Sequence, residues 1–243
     1  MAYFAWMHPA KTYPRTAPRF PGIRWASPDK TARLSISLVL AALMTLLGIT
    51  AAVASNLPGN PFSEETVTEF PDPLVESWHR LREQIQLDDL IVSYCIENAM
   101  EDCTAAEKLM SVVEDARQYQ GRAMIAHVNR SINMMIRPSA GSWMSALDIL
   151  ELGSGDCKDY AIAKYAALLR SGISPDQLRL VIVHNSRRKE NHMVVGVFDD
   201  GQWLLLDNLT MTLVRDTDRT DYVPMFVLDH TGVGRYIPSI GSN

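Results

Sequence analysis

The chain has 243 residues, 47% of them hydrophobic and 21% charged, which is enough apolar material for a sizeable core and excludes a disordered chain. Its formal net charge is −5 and no basic stripe interrupts it, which points away from a nucleic-acid partner.

Residues 1–33 carry six basic side chains, one acid and several prolines, without helical or strand periodicity. From Leu34 to Ser63 there is no charge, and residues 34–54 (LSISLVLAALMTLLGITAAVA) are almost wholly apolar. Ala52-Val53-Ala54 ahead of Ser55 has the small-x-small form of a signal-peptide cleavage site. The same run is long enough to span a bilayer as an uncleaved anchor. Both readings keep the basic leader on the cytoplasmic side and send the remainder across. A buried core helix is the structural alternative. Loss of residues 1–54 removes six positive charges and one negative, so the net charge moves from −5 to −10.

Residues 55–73, rich in proline and small polar residues, read as a linker or lead-in. Helical spacing then begins with Leu74, Trp78, Leu81 and Ile85. Cys95 and Cys103, eight residues apart, fit a disulfide across a loop between helices without requiring one. Thr104-Ala105-Ala106-Glu107 has the form of a capping box, so a helix is expected after it. Ile125, Val128, Ile132 and Met135 form the next apolar stripe, between Arg122 and Ile136. All of these residues are read as core.

Past Pro138 the pattern changes. The loop SAGSW leads to ALDIL, then to GSGDCKDY, and a helix is expected from about Cys157 to Arg170, ended by Gly172. Three strand-like runs follow: Leu178–His184, His192–Phe198 and Trp203–Asp207. Asp199-Asp200-Gly201-Gln202 is a strong hairpin signal between the last two. A further hairpin-like arrangement is expected from Met211–Val214 and Val223–Leu228. Helices first and antiparallel strands afterwards give the α+β class.

Cys157 opens a helix, where unsatisfied N–H groups favour a thiolate, so a lowered pKa is expected. Asp156 reads as the N-cap, with Asp159 in the first turn. On the helical wheel Cys157 lies at the edge of the face made by Ala161, Ile162, Tyr165, Leu168 and Leu169, towards the sheet. A nucleophile needs a base and the base an orienting group. If Asp200-Gly201 is the two-residue turn, Asp199 pairs with Gln202, and His192 and Asp207 become diagonal neighbours on one face. A slip of one residue would separate them. His184 ends a strand without such a partner and reads as structural.

This order of Cys, His and Asp resembles the bacterial transglutaminase-like cysteine peptidases, periplasmic adhesin-cleaving proteases of the papain/transglutaminase superfamily. The matching stretches are VNRSIN at 128–133, Trp143 to Leu150, GDCKDYAIAKYAALLRSGI at 155–173, LRLVIV at 178–183, HMVV at 192–195 and LLLDN at 204–208. The resemblance implies a papain-like core over residues 74–237, with a short tail at 238–243. It implies Cys157 as nucleophile, His192 as general base and acid, and Asp207 orienting the imidazole. Trp143 is a candidate for oxyanion support, with a core tryptophan as the preferred reading; the Cys157 backbone N–H is a candidate oxyanion donor. A periplasmic location, a protein substrate such as a surface adhesin, and an inner-membrane regulatory protein are the implied setting and partners. Characterised relatives carry acid-Cys-acid at the nucleophile and bind calcium there. Here Lys158 follows Cys157, an ammonium supplies no oxygen ligand, and Asp156 and Asp159 are left as weak calcium candidates. The same triad also serves acyl transfer to an amine, and a non-catalytic binding module of the same fold is the remaining alternative.

Overall fold

The computed structural model describes residues 58–63, 65–68, 72–98, 102–141 and 143–237. The leader and apolar segment at 1–54 and the tail at 238–243 lie outside the described residues. Among the described residues no helix is long and apolar enough to cross a membrane.

Helix α1 (Pro73–Asn98) starts on a proline, whose missing N–H costs nothing at that position, and Asp72 Oδ1 accepts the Leu74 N–H at 2.8 Å. Its expected stripe buries Leu74, Trp78 and Leu81, with Ile85 half-buried. Cys95 and Cys103 form a disulfide, Cα to Cα 6.0 Å, joining α1 to α2 (Thr104–Ala116). The Thr104 capping box does not form. Cys103, held by the disulfide, takes the N-cap position and Thr104 becomes the first helical residue. Helix α3 (Gly121–Met135) follows, and its stripe of Ile125, Val128 and Ile132 is fully buried.

Two short strands, β2 (Arg137–Pro138) and β3 (Ser154–Gly155), pair in parallel across the ends of α4 (Ala146–Leu152). Helix α5 (Cys157–Arg170) runs through the middle of the protein. It packs on the sheet and on α2, α3 and α4, and it is buried from Lys158 to Leu168. A helix covered all round needs apolar or small residues on nearly every face, and AIAKYAALL supplies them at every position but Lys164.

The sheet comprises β1 (Thr66–Val67), β4 (Leu178–Asn185), β5 (Glu190–Asp199), β6 (Gln202–Leu206), β7 (Val214–Arg215), β8 (Tyr222–Leu228) and β9 (Val233–Tyr236). Their order is β1-β9-β8-β4-β5-β6-β7, with antiparallel neighbours throughout. The fold is α+β, as expected. Leu180, Ile182, Met193, Val195, Val197, Leu204 and Leu206 join the helical core, while Val181, Val183, Val194, Leu205 and Tyr222 pack on the other face. That alternation is the two-residue period of a strand.

The β5–β6 turn has Asp200 and Gly201 at φ 49° and 76°, the left-handed pair that a two-residue hairpin requires, and Asp199 faces Gln202. The second expected hairpin is not present. Residues 214–215 pair with β6, and β8 inserts between β4 and β9, because the long hydrophobic edge of β4 offers the larger partner. Part of the lead-in joins the fold. β1 pairs with β9, the Trp203 indole N–H donates to Gly59 O at 3.0 Å, and the Tyr236 hydroxyl donates to Pro61 O at 3.0 Å.

Candidate active site

Cys157 is the first residue of α5, and the cap ahead of it is reciprocal. Asp156 Oδ1 accepts the Lys158 N–H at 3.1 Å, and Asp159 Oδ2 accepts the Asp156 N–H at 2.9 Å. The thiol is half-buried and faces β5, where the Met193 backbone N–H reaches it. The β5–β6 ladder ends at Val195 and Leu206, so Met193 lies on the part of β5 that β6 leaves open. His192, the preceding residue, is thus one position along the strand from the thiol's amide partner.

The expected depression of the Cys157 pKa is not found. Burial pushes the thiol up to about 12, reinforced by the negative charge of Asp156 and opposed by the Met193 and Lys158 amides and the Lys158 charge. Desolvation outweighs the first-turn N–H groups here, and some of those groups already serve the cap. Burial therefore favours the neutral thiol at this position.

His192 and Asp207 are both buried, at 3% and 2% exposure. The imidazole Nε2 and Asp207 Oδ1 are 2.8 Å apart. Oδ1 also accepts the Leu209 N–H at 2.9 Å, while Oδ2 accepts the Tyr222 hydroxyl at 2.6 Å and Arg219 Nη1 at 3.2 Å. Burial alone would raise the Asp207 pKa. The hydrogen bond and charge of His192, with the Tyr222 hydroxyl and the Leu209 amide, outweigh it and hold the group well below the usual carboxylate range. An ionised carboxylate only accepts, so Nε2 carries the proton and Nδ1 is left as the basic nitrogen.

Tyr222, Arg219 and Lys164 were not legible as site residues. Tyr222 sits beside the His192 ring, 5.8 Å between centroids, and Arg219 covers the Tyr222 ring at 3.6 Å. Lys164 is 1% exposed, and burial lowers its pKa to about 7, with Asp207 opposing. The asparagines of VNRSIN have a purpose that spacing does not reveal. Asn133 Nδ2 donates to Asp207 O and Thr210 O, each at 3.0 Å, and Asn129 Nδ2 to Thr210 O at 3.1 Å. Helix α3 thereby fixes the backbone that carries Asp207.

Trp143 is half-buried against the helical core. His184 bonds Asn191 Oδ1 through Nδ1 at 3.2 Å, apart from the Asp207 cluster. Asp156 Oδ2 and Gly141 O, the latter at 3.2 Å, both accept from Lys158 Nζ. Asp159 is fully buried and its pKa rises to about 7, chiefly through burial. Among the described residues no group of three or more His, Cys, Asp or Glu side chains is placed to hold a metal ion.

Solved structures share this fold. Calcium-bound LapG of Legionella pneumophila aligns with a TM-score of 0.51 at 20% identity, over 65% of this chain and 93% of that one. EGTA-treated LapG aligns at 0.50 and 19% identity, over 67% and 88%. No curated protein sequence matches the chain. Residues 90–230, which contain Cys157, His192 and Asp207, match the bacterial transglutaminase-like cysteine proteinase family. The chain belongs to that family and is a cysteine peptidase.

Proposed function

We propose that Cys157, His192 and Asp207 form a catalytic triad that hydrolyses a peptide bond in a protein substrate through an acyl-enzyme. The 2.8 Å contact between His192 Nε2 and Asp207, which frees Nδ1 to act as base, carries this reading. Burial favours the neutral thiol, so Nδ1 removes its proton as Cys157 Sγ attacks the substrate carbonyl. Asp207 holds the imidazolium that results. The Cys157 backbone N–H, at the first position of α5 where a helix offers no intrahelical acceptor, is the proposed oxyanion donor. The imidazolium then returns its proton to the leaving amine. Water, deprotonated by the same nitrogen, attacks the thioester and releases the acid and the free thiol.

The resemblance of the cysteine, histidine and aspartate motifs supports a surface adhesin as substrate. The basic leader followed by the apolar run at 34–54 supports a periplasmic setting, whether that run is cleaved or retained. Calcium is bound in one LapG structure. Here the residues beside the nucleophile do not fit it, since Lys158 Nζ already takes Asp156 Oδ2 and Gly141 O. No step is therefore assigned to calcium.

Incubation of the full-length protein with a thiol-directed probe tests the triad. Cys157 is expected to label, and His192→Ala to slow labelling by about 100-fold or more. Equal labelling with and without the imidazole would remove His192 from the mechanism.

A further inference from the structure

We propose that the Lys158 ammonium is a tethered internal cation, taking the position beside the nucleophile that a divalent ion would occupy and making this peptidase's site independent of calcium. The inference rests on Cys157 being the nucleophile only for its consequence for catalysis; its binding arm stands apart.

The lysine is 3% exposed, although it lies in the first turn of a helix, where a lysine is expected to reach for water. It turns inward and donates to two acceptors from different segments. One is the carboxylate of Asp156, the cap immediately before Cys157, and the other is Gly141 O at 3.2 Å, in the loop between β2 and α4. That loop is seated directly on the cap. A Cβ at position 141 would stand 1.9 Å from Asp159 Oδ2 and 3.1 Å from Asp156 N, so only glycine permits the approach. Cap, loop and ammonium close into one unit around the nucleophile.

The oxygens are what a hard cation would use, but they are spent. Calcium takes roughly six to eight oxygen ligands. Asp156 Oδ2 and Gly141 O hold the ammonium, while Asp156 Oδ1 and Asp159 Oδ2 hold backbone N–H groups. Asp159 Oδ1 alone is buried without a hydrogen-bond partner among these. A dication entering the space would also meet the Lys158 charge where little water screens it. An ammonium tethered to the chain cannot be chelated.

The test uses the full-length protein stripped with EGTA. Calcium titration is expected to give no saturable heat and a melting-temperature shift of less than about 1 °C, with Cys157 labelled at one rate in calcium and in EGTA. Lys158→Glu replaces the ammonium by two oxygens and is expected to gain saturable calcium binding and a calcium-dependent rise of several degrees, on the order of 5 °C. Lys158→Met, which keeps the volume, is expected to melt lower than wild type and to label roughly 10-fold more slowly, with no rescue by calcium. Saturable calcium binding by the wild type overturns the proposal. So does a Lys158→Met protein that melts and labels like wild type, or a folded Lys158→Glu protein that ignores calcium. If Cys157 fails to label in every buffer while the wild type binds no calcium, the nucleophile assignment falls and the calorimetric and melting arms still support the tether.

Discussion

Both oxygens of Asp207 are engaged, one with His192 and the Leu209 amide, the other with Tyr222 and Arg219. Tyr222→Phe removes one of these donors and keeps the ring. It is expected to cost about 1.5–3 kcal/mol of stability at neutral pH, the range for a hydrogen bond to a charged group, and to lower kcat about tenfold. The sign with pH follows from the depressed Asp207 pKa. Its stabilisation is present above the unfolded value near 3.9 and is lost as pH falls through the folded value. The deficit of the variant should therefore be full at pH 7 and shrink in strong acid, which urea unfolding at both pH values would measure. Asp159 has the opposite sign. Its folded pKa is raised to about 7, so between roughly pH 4 and 7 the folded state binds more protons and stability falls as pH rises. Asp159→Asn keeps an oxygen for the Asp156 N–H and should remove that slope from a plot of melting temperature against pH. A slope unchanged in the variant would assign it to other groups. Position in the sequence places Cys157 at a helix start, but burial depends on what folds over it. Helix position alone therefore does not reveal the raised pKa.

At the level of elements, the legible features were those fixed locally. The Asp200-Gly201 turn determines the register of β5 and β6, and on both sides the chain continues past the ladder's end at Val195 and Leu206 to bring His192 and Asp207 into contact. Apolar spacing likewise identifies α1, α3 and α5. Tyr222 and Arg219 escaped because β8 reaches the site by pairing with β4, about forty residues away in the chain, and no local pattern records that choice. Thr104 misled for a related reason: a covalent bond to α1 decided which residue caps α2. The disulfide closes a short loop, and its removal by Cys103→Ala is expected to cost about 2–3 kcal/mol on chain-entropy grounds. The bond joins α1 to α2, neither of which carries a residue of the proposed triad, so Cys157 labelling should persist. Denaturant unfolding alongside labelling measures both effects, and a lost labelling rate in a folded variant would show that the bond reaches the site.

For the whole molecule, the lead-in is part of the fold's edge. Tyr236, Trp203 and Arg179 all bind its backbone or side chains between Gly59 and Pro61, and β1 covers β9. A chain truncated to begin at Pro73 exposes the β9 edge and is expected to melt lower and to self-associate. Scanning fluorimetry and size-exclusion chromatography check this; an unchanged melting temperature would make the lead-in a passive linker.

The site also divides in time of assembly. His192 and Asp207 are fifteen residues apart across one tight turn, and a hairpin of that kind closes on the order of 1–10 μs. Cys157 joins them only when α5 docks on β5, a long-range step that waits for the sheet and slows with topology. The hairpin that carries the proposed acid–base pair is therefore expected to close before α5 docks on it, so Cys157 meets that pair only in the closed core. A peptidase whose proposed triad meets only at that step is expected to lack a complete site while its own chain, or its unfolded neighbours, are still open to cleavage.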